Sequence, residues 1–279
     1  MDRAIALSRQ VKEYAIRASQ LLSDELVSAE ALSGGDLSAV MRIFLSSGRS
    51  AVVKAGPACF TEAEMLKAIL SSGAPAPKVL AVDTDLLALE DLGADMGLTG
   101  AWSSLGRAVR ALHTCMGARY GWPVDYQFGP VAIPNEMDAN WPSFWAEKRL
   151  LAGAVGAPTE LADRIEVLCG ALPDRLPAAP EPSLLHGDLW VGNLVARNGR
   201  VQGLIDPACY YGHFEVDLAM LSLFGNPEED FWKSYGAASE PGFEDRRAIY
   251  QLWPALVHLR LFGDSYRGLV ERLLNRCSV

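Results

Sequence analysis

Leu184-Leu185-His186-Gly187-Asp188-Leu189-Trp190-Val191-Gly192-Asn193 decides the reading of this chain, together with Asp206, which closes the apolar run Val201-Gln202-Gly203-Leu204-Ile205. An Asp and an Asn on one irregular loop can point into one cavity, and a short strand pair returns a second Asp to the same place. A carboxylate that takes a hydroxyl proton, with further oxygen ligands for magnesium, is what phosphoryl transfer asks of a protein. Asp188 is therefore the candidate base, and Asn193 and Asp206 are the candidate magnesium ligands. An amide oxygen and a carboxylate suit an ion that takes few protein ligands. Taken alone, Asp188 also fits a capping residue in a surface turn, since Gly, Asp and Asn are turn formers. The apolar strands Asn193 to Ala196 and Val201 to Ile205 favour the combined reading.

The length of 279 residues is long for one compact domain and suits two lobes sharing a cleft. A hydrophobic fraction of 50% and a charged fraction of 21% describe an ordinary folded chain. The net charge of -9 weighs against a nucleic-acid partner and is compatible with a cationic substrate. Cys59, Cys115, Cys169, Cys209 and Cys277 are odd in number and form no Cys-x-x-Cys pair, which speaks against a disulfide framework and a zinc site. Reduced, mostly buried thiols in a cytosol are expected instead. The start Met1-Asp2-Arg3-Ala4 has no apolar signal core, and no apolar run approaches the roughly 18 residues that span a bilayer. A cytoplasmic protein with no membrane partner is the expectation.

The same motifs carry a family resemblance. Leu184 through Trp190 with Asn193, then Asp206-Pro207-Ala208-Cys209-Tyr210-Tyr211-Gly212-His213 and Glu215-Val216-Asp217-Leu218-Ala219-Met220, resemble the fructosamine kinase (ketosamine-3-kinase) family. That family lies within the larger aminoglycoside phosphotransferase and protein-kinase-like group. His-x-Asp followed by Asn marks the large group. The Trp after His-Gly-Asp-Leu and the Asp206 to His213 run are narrower and separate the family from drug-modifying relatives. The similarity extends from about Gly34 to the C-terminus.

The resemblance implies an α+β, two-lobed protein-kinase-like fold. A small β-rich nucleotide-binding lobe would span 1–92, and a larger, mostly helical catalytic and acceptor-binding lobe 93–279. It implies ATP and Mg2+ as cofactors and a ketosamine acceptor, free or protein-bound, phosphorylated on a sugar hydroxyl. An aminoglycoside phosphotransferase would use the same residues on a polycationic acceptor, and Trp190 with the Asp206 to His213 run counts against it. A catalytically silent nucleotide-binding protein is opposed by the intact set Lys54, Asp188, Asn193 and Asp206.

Residues Ala4 to Leu22 have helical apolar spacing and predict a first helix. Gly34-Gly35-Asp36 then leads into strand-like Val40 to Leu45, a turn at Ser47-Gly48-Arg49, and Ala51-Val52-Val53-Lys54. In kinase-like folds a glycine turn covers the phosphates with backbone N–H groups, and a lysine on the returning strand pairs with them. Gly34, Gly35 and Lys54 are the candidates. Gly34-Gly35 lacks a full glycine-rich spacing, and no Gly-x-x-x-x-Gly-Lys-Ser/Thr loop occurs, which excludes the P-loop classes. Thr61 to Leu70 predicts a helix with a capping start and an apolar face at Met65, Leu66, Ile69 and Leu70. A carboxylate on it has to hold the strand lysine. The resemblance favours Glu62, with Glu64 as the alternative, and either also suits a helix N-terminus. Lys78 to Val82 and Leu86 to Leu89 read as strands leading to Glu90-Asp91-Leu92. There the resemblance puts an interlobe hinge whose backbone holds the adenine edge.

Trp102 to Met116 is helical in period, with His113 as a buried hydrogen-bonding residue. Tyr120 to Asn140, rich in Pro, Gly and aromatics, reads as too broken for regular structure, a long loop of the kind that shapes a binding site. The resemblance sets it near the acceptor. Helices over Trp141 to Val155 and Pro158 to Ala171 precede a proline-rich connector, Pro173 to Pro182. Phe243 to Arg267 predicts a long helix or a pair, kinked or interrupted at Pro254. Trp190 is either a face for a sugar or a neighbouring cation, or a core aromatic. The resemblance adds His258 and Leu261 to Asp264 on the acceptor side. It makes His186 a structural support of the catalytic loop and Asp217 its brace, where Asp217 alone would read as a helix cap.

Overall fold

The structure is a computed structural model that describes residues 9–32, 39–93, 98–236 and 241–279. Gly34 and Gly35 lie outside the described residues. The first part runs α1 (Arg9–Leu21), β1 (Leu26–Ala31), β2 (Ala39–Leu45), β3 (Ser50–Ala55), α2 (Cys59–Ser71), β4 (Val79–Asp83) and β5 (Leu86–Glu90). The strands form one five-stranded sheet in the order β1-β2-β3-β5-β4, with every pairing antiparallel. Side chains alternate across a strand, so β3 turns Ala51 and Val53 to one face and Val52 and Lys54 to the other. On the first face Ala15 and Ala18 of α1 pack against Met41, Ile43, Ala51, Val53, Leu86 and Ala88. Lys54 pairs in register with Val40 and Leu87, which sets its side chain on the face away from α1.

β1 is absent from the sequence reading. It is an edge strand with two half-buried positions among exposed ones, and its register slips between Leu26 and Ser28. The period-2 signal that marks a strand is lost there. α2 begins at Cys59, with Ala58 at the cap position and no side-chain cap, rather than at Thr61.

The second part contains α3 (Trp102–His113), β6 (Tyr126–Phe128), β7 (Val131–Ile133), α4 (Trp141–Trp145), a π-helical segment (Ala146–Leu151), α5 (Ala152–Ala154) and α6 (Thr159–Arg175). Then come β8 (Ser183–Leu185), β9 (Leu194–Arg197), β10 (Arg200–Leu204), β11 (Tyr210–Gly212), α7 (Glu215–Leu221), α8 (Glu229–Tyr235), α9 (Phe243–Phe262) and α10 (Arg267–Arg276). The strands pair in two-stranded ribbons, β6 with β7, β8 with β11 and β9 with β10. A sheet lobe followed by a mostly helical lobe is the two-lobed α+β arrangement expected from the sequence.

Several elements depart from the sequence reading. The stretch expected to lack regular structure carries the β6/β7 hairpin, whose turn is Gly129-Pro130. α6 continues through Pro173 and ends two residues beyond it, at Arg175. α9 passes Pro254 without interruption, and the break falls at Gly263, whose φ of 74° ends the helix. Between Trp141 and Ala154 the helix widens to a π turn. There Arg149 is fully buried, with its guanidinium donating to Pro134 O at 2.7 Å and Asn135 Oδ1 at 2.8 Å. Its Cζ lies 4.0 Å from the centre of the Tyr210 ring. At α4 Asn140 caps the helix by accepting Ser143 N–H at 2.8 Å, with Pro142 in the first turn.

The lobes share one core. Ala63, Met65, Leu66 and Ile69 of α2 belong to the same buried cluster as Leu184, Leu189 and Leu204. Leu204 N–H donates to Pro75 O at 2.9 Å, and Leu92 rests on Gly203, where a Cβ would collide with it. Among the described residues, no helix is long and apolar enough to cross a membrane.

Candidate active site

β8 leads directly into the loop that carries Asp188. Gly187 has φ of 80°, and a Cβ there would run into the Ala208 carbonyl. Only glycine tolerates both conditions. The loop is then held from below by Asp217, which is fully buried in the first turn of α7. Its carboxylate accepts His186 N–H at 2.7 Å and Gly187 N–H at 3.0 Å, and lies 3.1 Å from His113 Nε2. Asp217 thus spends its oxygens on the loop rather than on capping its own helix. His186 Nε2 donates to Ile205 O at 3.0 Å, which leaves Nδ1 to accept Asp188 N–H at 3.4 Å. Burial lowers the His186 pKa, so the ring is a neutral strut.

Asp188 and Asn193 face each other across this loop. Asn193 Nδ2 donates to Asp188 Oδ2 at 2.8 Å and to Asp188 O at 2.9 Å. Two acceptors fix the amide orientation, so Asn193 Oδ1 points elsewhere. Burial pushes the Asp188 carboxyl up to about 7; Asn193's hydrogen bond opposes this and nearby Asp206 adds to it. The β9/β10 ribbon brings Asp206 back to the loop, with Ile205 N–H donating to Asn193 O at 3.0 Å. Asp206 has φ of 54°, a strained setting for a residue with a Cβ.

Lys54 reaches over from the sheet. Its Nζ lies 2.5 Å from Glu62 Oε1 and 2.7 Å from Asp206 Oδ1. Burial works against its charge, but Glu62 and Asp206 outweigh that and raise its pKa. Glu64, the alternative partner, is exposed and pairs with Lys67 at 2.7 Å. Lys54, Glu62, Asp188, Asn193 and Asp206 all line one cavity of about 240 Å³. Its remaining wall includes the Gly56-Pro57-Ala58 turn, Tyr126, Gln127 and Phe128 of the β6 segment, and Trp190, His258 and Phe262.

The hinge candidates behave differently from one another. Glu90 N–H is donated to Lys78 O at 2.9 Å, so it is committed to the chain. The Asp91 carboxylate takes Arg42 Nε and Ser50 Oγ, each at 2.8 Å, and Gly93 N–H at 3.1 Å. It anchors the exit from the sheet. Among the described residues Leu92 N–H has no hydrogen-bond partner, and none of the three hinge candidates lines the cavity that holds Lys54 and Asp188.

Residues 10–278 match the family model described as Fructosamine kinase. The chain belongs to the fructosamine kinase family. A protein named probable ketoamine kinase from Lactiplantibacillus plantarum is 33% identical over 272 residues, covering 92% of this chain and 96% of its own. The crystal structure of a candidate fructosamine-3-kinase from Thermobifida fusca has a TM-score of 0.86 at 29% identity, over 94% of this chain and 97% of its own. An aminoglycoside phosphotransferase, 17% identical with a TM-score of 0.66 over 96% of this chain and 97% of its own, shares the fold. As a fructosamine kinase family member the chain is a phosphotransferase with a hydroxyl acceptor.

In this fructosamine kinase family member the outer cavity wall is assembled from segments far apart in the chain. The Tyr120 to Asn140 stretch, expected to shape a binding site, contributes Tyr126, Gln127 and Phe128 to the cavity wall, and its Tyr-Gln-Phe and Val-Ala-Ile flanking Gly-Pro is a hairpin signal. Trp190 is 38% exposed, so it is not a core aromatic. His258 lines the same cavity, its Nδ1–H donating to Pro254 O at 2.7 Å.

Proposed function

We propose that this protein transfers the γ-phosphate of ATP to a sugar hydroxyl of a ketosamine, free or carried on a protein. The observation that carries the reading is Lys54 Nζ, bridged between Glu62 and Asp206 on the same cavity wall as Asp188. The relatives add the acceptor class, since they are named as ketoamine kinases and, in rice, as a protein-ribulosamine 3-kinase.

Asp188 takes the proton of the acceptor hydroxyl as its oxygen bonds to the γ-phosphorus, while the bond from that phosphorus to the β–γ bridging oxygen breaks and ADP leaves. A carboxyl poised at about 7 suits that proton transfer. Lys54, steered by Glu62, meets the phosphates, and Gly34 and Gly35 would cover them. A division at 92/93 sets Lys54 and Glu62 on one side of the cleft and Asp188 on the other. Glu90, Asp91 and Leu92 form the adenine hinge, with Leu92 N–H as the donor and Asp91 as its anchor. The donor set fits magnesium: Asn193 Oδ1 is turned away from Asp188, and the Asp206 side chain is 42% exposed to the cleft. Asn193 and Asp206 would hold the ion, which neutralises phosphate charge when bound. Trp190 and His258 flank the acceptor, while His186 and Asp217 keep the loop in shape.

The test is ADP release with Mg·ATP against ribuloselysine, erythruloselysine, fructoselysine and kanamycin, with Asp188→Ala as control. Ketosamine-dependent release that the variant lacks supports the reading. Release with kanamycin alone defeats it.

A further inference from the structure

The cavity continues outward from Asp188 along a row of rings. The Trp190 indole lies against Gly192, where any Cβ would enter the ring, so its plane is fixed. Trp190 meets Phe224 edge-on at 6.3 Å, and Phe224 meets His258 at 5.0 Å. His258 in turn meets Phe262 at 5.5 Å and Tyr266 at 4.9 Å. These are ordinary ring-contact spacings. Yet Phe224 and Phe262 remain 42% and 46% exposed. Phe262 lines the cavity, whereas Phe224 and Tyr266 carry the strip beyond its wall. The strip is assembled from the catalytic loop, the segment after α7, and the end of α9 with its following turn, so its position beside Asp188 is set by the fold rather than by one local sequence.

Charge narrows what the strip can take. Among the described residues, the carboxylates on the cavity wall are Glu62, Asp188 and Asp206, and each has its task at the phosphoryl end. Within the cavity itself a polycationic acceptor finds no acidic partner left over, and the turn between Phe262 and Tyr266 adds a single carboxylate, Asp264. A single ammonium beside the sugar finds aromatic faces, which attract cations without a carboxylate.

We propose that Phe224, Phe262 and Tyr266 form a subsite for the arm borne on the acceptor's amine, and that this subsite selects acceptors with one cation and an apolar arm. The proposal rests on the ketosamine reading above. Each methylene laid on the strip raises kcat/KM by roughly two- to fourfold, in proportion to the apolar surface it removes from water.

The experiment uses the full chain and ketosamines made from methylamine, butylamine and hexylamine on whichever sugar the wild type prefers. In the wild type kcat/KM climbs with arm length, and in Phe224→Ala/Tyr266→Ala the hexyl-to-methyl ratio drops by about fivefold or more. A flat wild-type series, or a climb that survives in the double variant, overturns the subsite. If the wild type turns over no ketosamine, the acceptor reading falls by itself. Hexylammonium binding is then measured by quenching of Trp190 fluorescence, with Trp190→Phe as background. Binding that Phe224→Ala weakens sustains the subsite, and binding indifferent to Phe224 overturns it.

Discussion

Lys54 Nζ stands 2.7 Å from Asp206 Oδ1, joining the sheet to the end of the β9/β10 ribbon. The same nitrogen is the partner of the Glu62 carboxylate, whose side chain is 8% exposed. Lys54→Met therefore strands a buried charge, which costs about 3–5 kcal/mol, whereas a matched apolar or neutral pair costs far less. Urea unfolding should show Lys54→Met well below wild type and Lys54→Met/Glu62→Gln recovering most of the loss. Both variants should fall about a hundredfold or more in kcat, because the positive group proposed to meet the phosphates is gone. A single variant as stable as wild type would show that Glu62 does not depend on Lys54.

Asp217→Asn tests the support under the loop. The carboxylate accepts from two backbone N–H groups through two oxygens, and an amide has one oxygen to offer. One N–H is left unsatisfied in a fully buried site, costing about 1–3 kcal/mol. Since the loop carries Asp188, kcat should fall roughly 10- to 100-fold while the Kd for nucleotide holds. Equal losses in kcat and nucleotide affinity would make Asp217 a general stability residue instead.

Much of the site was legible because its chemistry is local in sequence. Asp188 and Asn193 sit on one loop, Asp206 follows a strand pair, and Lys54 lies near the end of a strand of the predicted type. The Lys54–Glu62 partnership was also within reach, since α2 follows β3 directly. What escaped depends on tertiary packing. The ring strip through Phe224, His258 and Tyr266 combines distant segments, and no spacing in the chain announces it. Arg149 looks like a solvated helix residue until the π turn takes it into the core. β1 escaped because an edge strand with one weakly buried face has no alternation to read.

Gly187 and Gly48 separate two costs of a left-handed glycine. Both have positive φ, of 80° and 83°, but a Cβ at Gly48 has open space while one at Gly187 meets the Ala208 carbonyl. Gly48→Ala should lose only the conformational preference, about 1–2 kcal/mol, or a few degrees in Tm, with normal turnover. Gly187→Ala adds displacement of the backbone beside Asp188, so it should melt lower still and lose most of its activity. Thermal melts and ADP release on the pair give the comparison, and indistinguishable variants would refute the steric argument.

Acid stability should depend on His213. The residue is fully buried, with Nδ1 2.8 Å from the Tyr250 hydroxyl. Burial first, then the positive Arg246 guanidinium and the neighbouring His113 ring, lower its pKa to about 3. In the unfolded chain the imidazole returns to about 6.5. Between those values the unfolded chain binds the extra proton and the folded one refuses it. The contribution is complete above about pH 6.5 and is lost as pH falls toward 3, at up to roughly 1.4 kcal/mol per pH unit. His213→Gln should flatten the decline of the urea midpoint from pH 7 to pH 5 relative to wild type. Parallel declines would assign the acid sensitivity to other groups.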